Sequence, residues 1–250
     1  MTRYFIFISF KGTYYHGWQI QPDDVTIQRI LNNALTLILG EKISTSGAGR
    51  TDSGVHALLF CAHFDSRNSD LADRKSIVLK LNSFLPRDIV VKNIKRVKKD
   101  SDARFSAISR TYKYYVSRVK NPFNDSYCWY FHGDLDIDRM NTAASLLPNF
   151  SDFTSFSRLH SGSKTNLCNI YSAGWVKEAD LLVFTITADR FLRNMVRALV
   201  GTLVDVGRNR ISIAEFETII LAKNRSKAGV SAPAKGLFLT GIDYPGEIFI

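Results

Sequence analysis

Four polar side chains able to do chemistry stand side by side in a glycine frame, Gly47-Ala48-Gly49-Arg50-Thr51-Asp52-Ser53-Gly54-Val55-His56-Ala57. Glycines at this density let the backbone reach φ > 0 and approach a ligand closely. Asp52 can then serve as a nucleophile or general base, and Arg50 as the cation that keeps a carboxylate ionised or binds a phosphate. Two other readings compete. Asp52-Ser53-Gly54 is also the composition of a hairpin turn in which Asp bonds its own backbone. Gly49 and Gly54 have the glycine spacing of a P-loop, but Val55-His56 stands where Lys-Ser/Thr is required, and the stretch does not fit G-x-G-x-x-G, which argues against a mononucleotide site.

Two further stretches carry charge and aromatic surface together. In Ser109-Arg110-Thr111-Tyr112-Lys113-Tyr114-Tyr115-Val116, period-2 alternation puts Arg110, Tyr112 and Tyr114 on one face. Such a face suits RNA, although on an ordinary sheet Tyr112 would be a core-edge residue with a wet hydroxyl. From Phe191 to Val206 the apolar residues recur at helical spacing, and Arg190, Arg193 and Arg197 fall at i, i+3 and i+7, predicting an arginine stripe on a packed helix. A solvated helix surface is the plainer account of that stripe. The aromatic loop Tyr14-Tyr15-His16-Gly17-Trp18-Gln19-Ile20-Gln21 fits stacking on bases and plugging a core edge equally well.

The elements that must position these residues alternate along the chain. Tyr4 to Phe10 reads as a central strand with apolar side chains on both faces, and Ala57 to Phe64 as a buried strand anchoring the Asp52 loop. Helices are expected at Ile27–Ile38, stopped by Gly40, and from about Ser69 to Phe84, stopped before Pro86; the basic strand Ile89–Val97 follows. In the second half a helix is expected near Ile137–Leu147. A hairpin pairs Asn169–Lys177 with Leu181–Thr187, and a capping box Ser212-Ile213-Ala214-Glu215 opens the last helix. Gly236 to Pro245 returns as a strand, while Lys120–Trp129 and Ser157–Asn166 read as loops.

The chain of 250 residues is 45% apolar, enough for one large or two small domains with a real core. Its formal net charge of +10 points to an anionic partner such as nucleic acid. Ten basic and two acidic residues between Lys92 and Lys120 supply +8 of that excess. Cys61, Cys128 and Cys168 are odd in number and show no C-x-x-C spacing, so they encode neither a disulfide framework nor a zinc site, and a reducing cytoplasm fits best. The histidines have no paired spacing, and no bound metal is expected. Met1 to Phe10 lacks a signal-peptide core and no apolar run reaches transmembrane length, so a soluble protein without membrane contact is expected.

These motifs together resemble the TruA family of tRNA pseudouridine synthases, nearly end to end. Gly49-Arg50-Thr51-Asp52-Ser53-Gly54-Val55-His56 resembles the family's GRTDxGVHA loop, and Arg110-Thr111-Tyr112-Lys113-Tyr114 its RxYxY strand. Phe191-Leu192-Arg193-Asn194-Met195-Val196-Arg197 with Gly201 resembles the FLxxMVRxxVG helix, and Tyr15-His16-Gly17-Trp18-Gln19 the YxGWQ segment. Asn32-Asn33 and Asp189-Arg190 depart from the usual pattern without touching the catalytic set.

The resemblance implies an α+β fold of two RRM/ferredoxin-like halves whose antiparallel sheets join across a basic central cleft. Residues 1–105 would carry the Asp loop, and residues 106–250 the Tyr strand and Arg helix. It implies a homodimer that isomerises uridine to pseudouridine at positions 38, 39 and 40 in the anticodon stem-loop of tRNA, without metal or cofactor. Carried over, Asp52 is the catalytic aspartate, Tyr112 the tyrosine that stacks on uracil and Arg197 the basic partner of the aspartate. Arg50 flips or holds the target nucleotide, and Arg110 shares the substrate-binding strand. The chemistry breaks N1–C1′ and joins C5 to C1′, for which a carboxylate near the sugar suffices. Residue types fit attack of Asp52 on C6 of the base and removal of a ribose proton equally. A non-enzymatic RRM-like RNA-binding module is the rival reading, and a purely structural basic protein a distant third.

Overall fold

The computed structural model describes residues 1–158 and 165–250. The chain divides into two compact units. One comprises Met1–Ile108 with Leu239–Ile250, and the other Ser109–Phe238. The division expected from the sequence, 1–105 and 106–250, is contiguous, whereas the first unit takes back the C-terminal segment.

In the first unit β1 (Thr2–Phe10), α1 (Ile27–Leu39), β2 (Ser46–Gly47), β3 (His56–Ser66), α2 (Lys75–Phe84) and β4 (Ile89–Val97) follow in order. β1 is central and pairs antiparallel with both β3 and β4, so it has no free edge. Tyr4, Phe5, Ile6 and Ile8 are fully buried, as an apolar sequence on both faces requires. Thr26 caps α1 by accepting the Arg29 N–H at 3.4 Å, and Gly40 ends it in the left-handed conformation, φ 67°. α2 starts at Lys75 rather than near Ser69. The preceding residues form turns in which Leu71, 1% exposed, donates its N–H to the Tyr4 hydroxyl, and Arg74 pairs with Asp70. Tying Leu71 to β1 delays the helix by more than a turn.

In the second unit β5 (Ser109–Ser117), β6 (Trp129–Tyr130), α3 (Ile137–Ser145), β7 (Ile170–Glu178), β8 (Leu181–Ala188), α4 (Met195–Gly207) and α5 (Ile213–Leu221) follow. β8 lies between β5 and β7, antiparallel to both, with Tyr112 opposite Ile186. The expected hairpin is present, its turn made by Ala179 at φ 51°. The Ser212–Glu215 capping box also forms. β6 pairs parallel with the end of β5 and takes in Trp129, the last residue of a stretch read as loop, where Trp129 packs edge-on against Tyr114 and Phe131. Of the expected loop Ser157–Asn166, residues 159–164 lie outside the described residues. β9 (Leu237–Asp243) begins in this unit and continues into the first, where it lies beside β3.

The arginine stripe is not a helical face. α4 begins only at Met195, because Asn194 adopts a left-handed conformation (φ 67°) and donates its side-chain amide to Ser231 Oγ at 2.7 Å. Arg190 and Arg193 therefore precede the helix, and Arg197 alone of the three is on it.

Candidate active site

The bend carrying Asp52 is built by its neighbours in the first unit. Ala48 donates its N–H to Cys61 O at 2.8 Å, fastening the entry to β3. Val55 N–H donates to Asp52 O at 3.2 Å across a turn in which Gly54 takes φ 79°. The turn reading and the site reading are thus compatible: the backbone makes the turn and the side chains on it are presented by it. Arg50 and Ser53 are exposed, while Thr51 and Asp52 are half-buried. The Thr51 hydroxyl is buried and has no hydrogen-bond partner among the described residues.

The aromatic loop supports that bend and does not present Trp18 to a ligand. Trp18 is 3% exposed, with its ring centroid 4.3 Å from that of Phe60 on β3, and a Cβ on Gly47 would lie 2.4 Å from Trp18 Nε1. A Cβ on Gly17, itself at φ 80°, would lie 2.2 Å from Thr51 O. Tyr15 O accepts Gly54 N–H at 3.3 Å and the Ser53 hydroxyl at 3.2 Å. Gly12 N–H donates to His56 Nδ1 at 3.0 Å, which fixes the lone pair on that nitrogen. Tyr14, by contrast, is 73% exposed beside Lys11.

The remaining sequence-predicted residues belong to the second unit. Arg110 donates Nη1–H to Asp189 O at 2.7 Å, tying β5 to the end of β8. Tyr112 meets Phe191 edge to face at 5.1 Å, and both rings are half-exposed. Tyr114, on the same strand face, is fully buried and donates its hydroxyl to Pro233 O at 2.8 Å. Arg197 Nε–H donates to Ala232 O at 2.7 Å, and Ala232 N–H returns a bond to Arg197 O at 2.9 Å.

That last contact exposes a strap the sequence reading passed over. Residues 224–236 cross α4, held by Arg225, whose guanidinium donates to Ala228 O, Gly229 O and Ser231 Oγ. Gly201 admits the strap, since a Cβ there would lie 1.8 Å from Val230 O. Gly229 and Pro233 are residues of the kind that punctuate loops, but nothing in their spacing announces what this segment touches.

Cys61, Cys128 and Cys168 are buried free thiols, and burial pushes Cys61 and Cys168 up to about 12, far from the range of a reactive thiolate. Among the described residues no group of three or more His, Cys, Asp or Glu side chains is placed to hold a metal ion. No helix there is long and apolar enough to cross a membrane.

A family model described as tRNA pseudouridine synthase matches residues 6–106 and 145–245. The tRNA pseudouridine synthase A of Bacteroides fragilis is 53% identical over 250 residues, covering 100% of this chain and 99% of that protein. Its namesake in Bacteroides thetaiotaomicron is 51% identical, covering 100% of this chain and 93% of that protein, and the one in Thermoanaerobacter pseudethanolicus is 39% identical over 98% of this chain and 100% of that protein. With a family model over both stretches and relatives of matching length, the chain belongs to the tRNA pseudouridine synthase family, of the TruA kind.

Proposed function

We propose that this enzyme isomerises uridine to pseudouridine at positions 38, 39 and 40 in the anticodon stem-loop of tRNA, with Asp52 as its catalytic carboxylate. In that reaction N1–C1′ breaks, the base turns, C5–C1′ forms, the C5 proton leaves to solvent and N1 is protonated. Asp52 supplies the carboxylate that the base or ribose requires, Tyr112 a ring face for the uracil, and Arg197 a guanidinium serving the carboxylate. Arg50 and Arg110 act on the substrate nucleotide and its phosphates. Extruding a stacked nucleotide costs a few kcal/mol, which basic contacts to the backbone offset. The same reading carries a homodimer, a cytoplasmic location and halves of RRM/ferredoxin-like build.

The observation that supports this reading best is the bend itself. In a chain matching tRNA pseudouridine synthases end to end, Asp52 sits half-exposed on a turn gripped by the Tyr15 carbonyl and by Gly12 and Gly17 packing. Rigid mounting of a solvent-reachable carboxylate suits a site that must hold its geometry closely. The test is tritium release from tRNA labelled at C5 of uridine. Asp52→Asn should abolish release while tRNA affinity stays within about tenfold, because losing a negative charge does not weaken phosphate binding. Tight binding without release by the unaltered protein would favour the RNA-binding module instead. Activity on prefolded tRNA should survive EDTA, given the donor residues described above, and a requirement for added metal beyond tRNA folding would refute that expectation.

A further inference from the structure

We propose that Asp88 and Tyr15 form a latch that positions the Asp52 bend, making both positioning residues for the isomerisation. The inference rests on the reading of Asp52 as the catalytic carboxylate. Tyr15 is 5% exposed, and its hydroxyl donates to Asp88 Oδ1 at 2.5 Å. Burial first, then that bond to a carboxylate, pushes Tyr15 far above the ordinary tyrosine range, so it is a fixed donor at any working pH. Asp88 is itself anchored. Its carbonyl accepts Lys11 N–H at 2.9 Å, just past the end of β1, and the adjoining Ile89 N–H donates to Pro86 O at the start of β4.

From this anchor the grip passes through Tyr15 to the bend. The side chain of Tyr15 faces Asp88, while its carbonyl accepts from the two residues that follow Asp52: the Ser53 hydroxyl at 3.2 Å and Gly54 N–H at 3.3 Å. Tyr15 N–H closes a turn onto Gly12 O at 3.0 Å, and Gly12 in turn holds His56. A carboxylate outside every catalytic motif is thereby linked to the turn carrying Asp52 through one side chain and one carbonyl. Both bonds to the bend are neutral and long enough that a displaced Tyr15 ring would loosen them. A misplacement of about 1 Å can cost ~100-fold in rate without contact between the altered residue and substrate.

The experiment measures single-turnover pseudouridine formation at saturating enzyme, with tRNA Kd measured separately, well below each variant's unfolding temperature. Asp88→Ala should slow the rate by ~10- to 100-fold with Kd changed less than about threefold. Asp88→Asn, whose amide oxygen accepts the same hydroxyl, should recover most of the rate. Tyr15→Phe, which keeps the ring and removes only the donor, should match Asp88→Ala and keeps the test open if the alanine variant fails to fold. The double variant should be no slower than either single one. Full rate in folded Tyr15→Phe and Asp88→Ala would overturn the latch, as would Asp88→Asn as slow as alanine or a loss explained wholly by Kd. Asp52→Asn, run alongside, separates the two ideas: undiminished tritium release there overturns the reading of Asp52 itself, and the latch with it. A dead Asp52→Asn beside an unimpaired Tyr15→Phe overturns the latch alone.

Discussion

At the scale of single residues, side chains with similar sequence credentials turn out to do different things. Tyr112 and Tyr114 share a strand face two residues apart, yet Tyr114 is a buried hydroxyl bonded to Pro233 O and Tyr112 a half-exposed ring against Phe191. His56 and His63, both on β3, each accept a backbone N–H on Nδ1, but His56 is fully buried and His63 only partly so. His63 accepts Ala103 N–H on Nδ1 at 3.0 Å, and its Nε2 lies 3.7 Å from Asp102. Burial lowers its pKa, against the opposing pull of Asp102. Protonating Nδ1 also breaks the bond to Ala103. A group whose folded pKa lies below its unfolded value of about 6.5 stabilises the fold fully above that value, and the contribution is lost as pH falls through the folded pKa. Urea unfolding as a function of pH should therefore show stability declining below about pH 6.5, and His63→Gln should flatten that slope. An unchanged slope would mean that another group titrates there. The turn that carries Asp52 was legible in the sequence because its glycines and its Asp-Ser-Gly composition act over a few residues. Asp88 was not, since its role depends on Tyr15, far away along the chain, and a lone Asp after Pro86-Arg87 carries no signal.

At the scale of elements, legibility follows the range of the forces that set each boundary. β4, the Gly40 stop of α1 and the Ser212 capping box are fixed by near neighbours, and the sequence shows them. The start of α4 depends on Asn194 reaching Ser231, a contact that the apolar period running through Phe191 and Leu192 conceals. The strap over α4 is of the same kind, and Gly201 makes it testable. Glycine inside a helix ordinarily costs ~0.5–1 kcal/mol relative to alanine, so Gly201→Ala on propensity alone should stabilise. Here the new Cβ would lie 1.8 Å from Val230 O, a backbone atom that cannot rotate away. Overpacking of this sort typically costs ~1–3 kcal/mol, which reverses the sign. Because Arg197 exchanges two hydrogen bonds with Ala232 on the same strap, the variant should lose activity beyond its loss of stability. Denaturant titration together with single-turnover rates checks both, and a stabilised, fully active Gly201→Ala would show that the strap yields freely.

At the scale of the whole molecule, the C-terminal segment belongs with the residues that begin the chain. Tyr244 and Phe249 pack against Phe5 at ring separations of 5.0 and 6.1 Å, on the side of β1 that Phe5 and Phe7 share. Tyr244 donates its hydroxyl to Ala103 O at 2.6 Å. Beyond it the tail runs along β4, where Lys98 N–H donates to Ile248 O at 2.9 Å and Ile250 N–H to Arg96 O at 3.2 Å. Lys95 lies over the Phe249 ring at 5.0 Å, so part of the basic stretch covers apolar surface instead of meeting solvent alone. The tail thereby shields β4, at the edge of the sheet, and closes the core over β1. Fully burying an aromatic side chain of this size is worth about 1.5–3 kcal/mol, and Phe249 is half-buried, so Phe249→Ala should cost about 1–2 kcal/mol. Deleting residues 244–250 should cost more, because it also removes Tyr244, Ile248 and the backbone bonds to β4. The two units predict where the loss falls: amides of β1 and β4 should exchange hydrogen faster in the deletion variant, while those of the β7–β8 hairpin keep their protection. Equal loss of protection in both sets of amides would mean that the chain unfolds as one cooperative body, and that the C-terminal segment stabilises the second unit as much as the first.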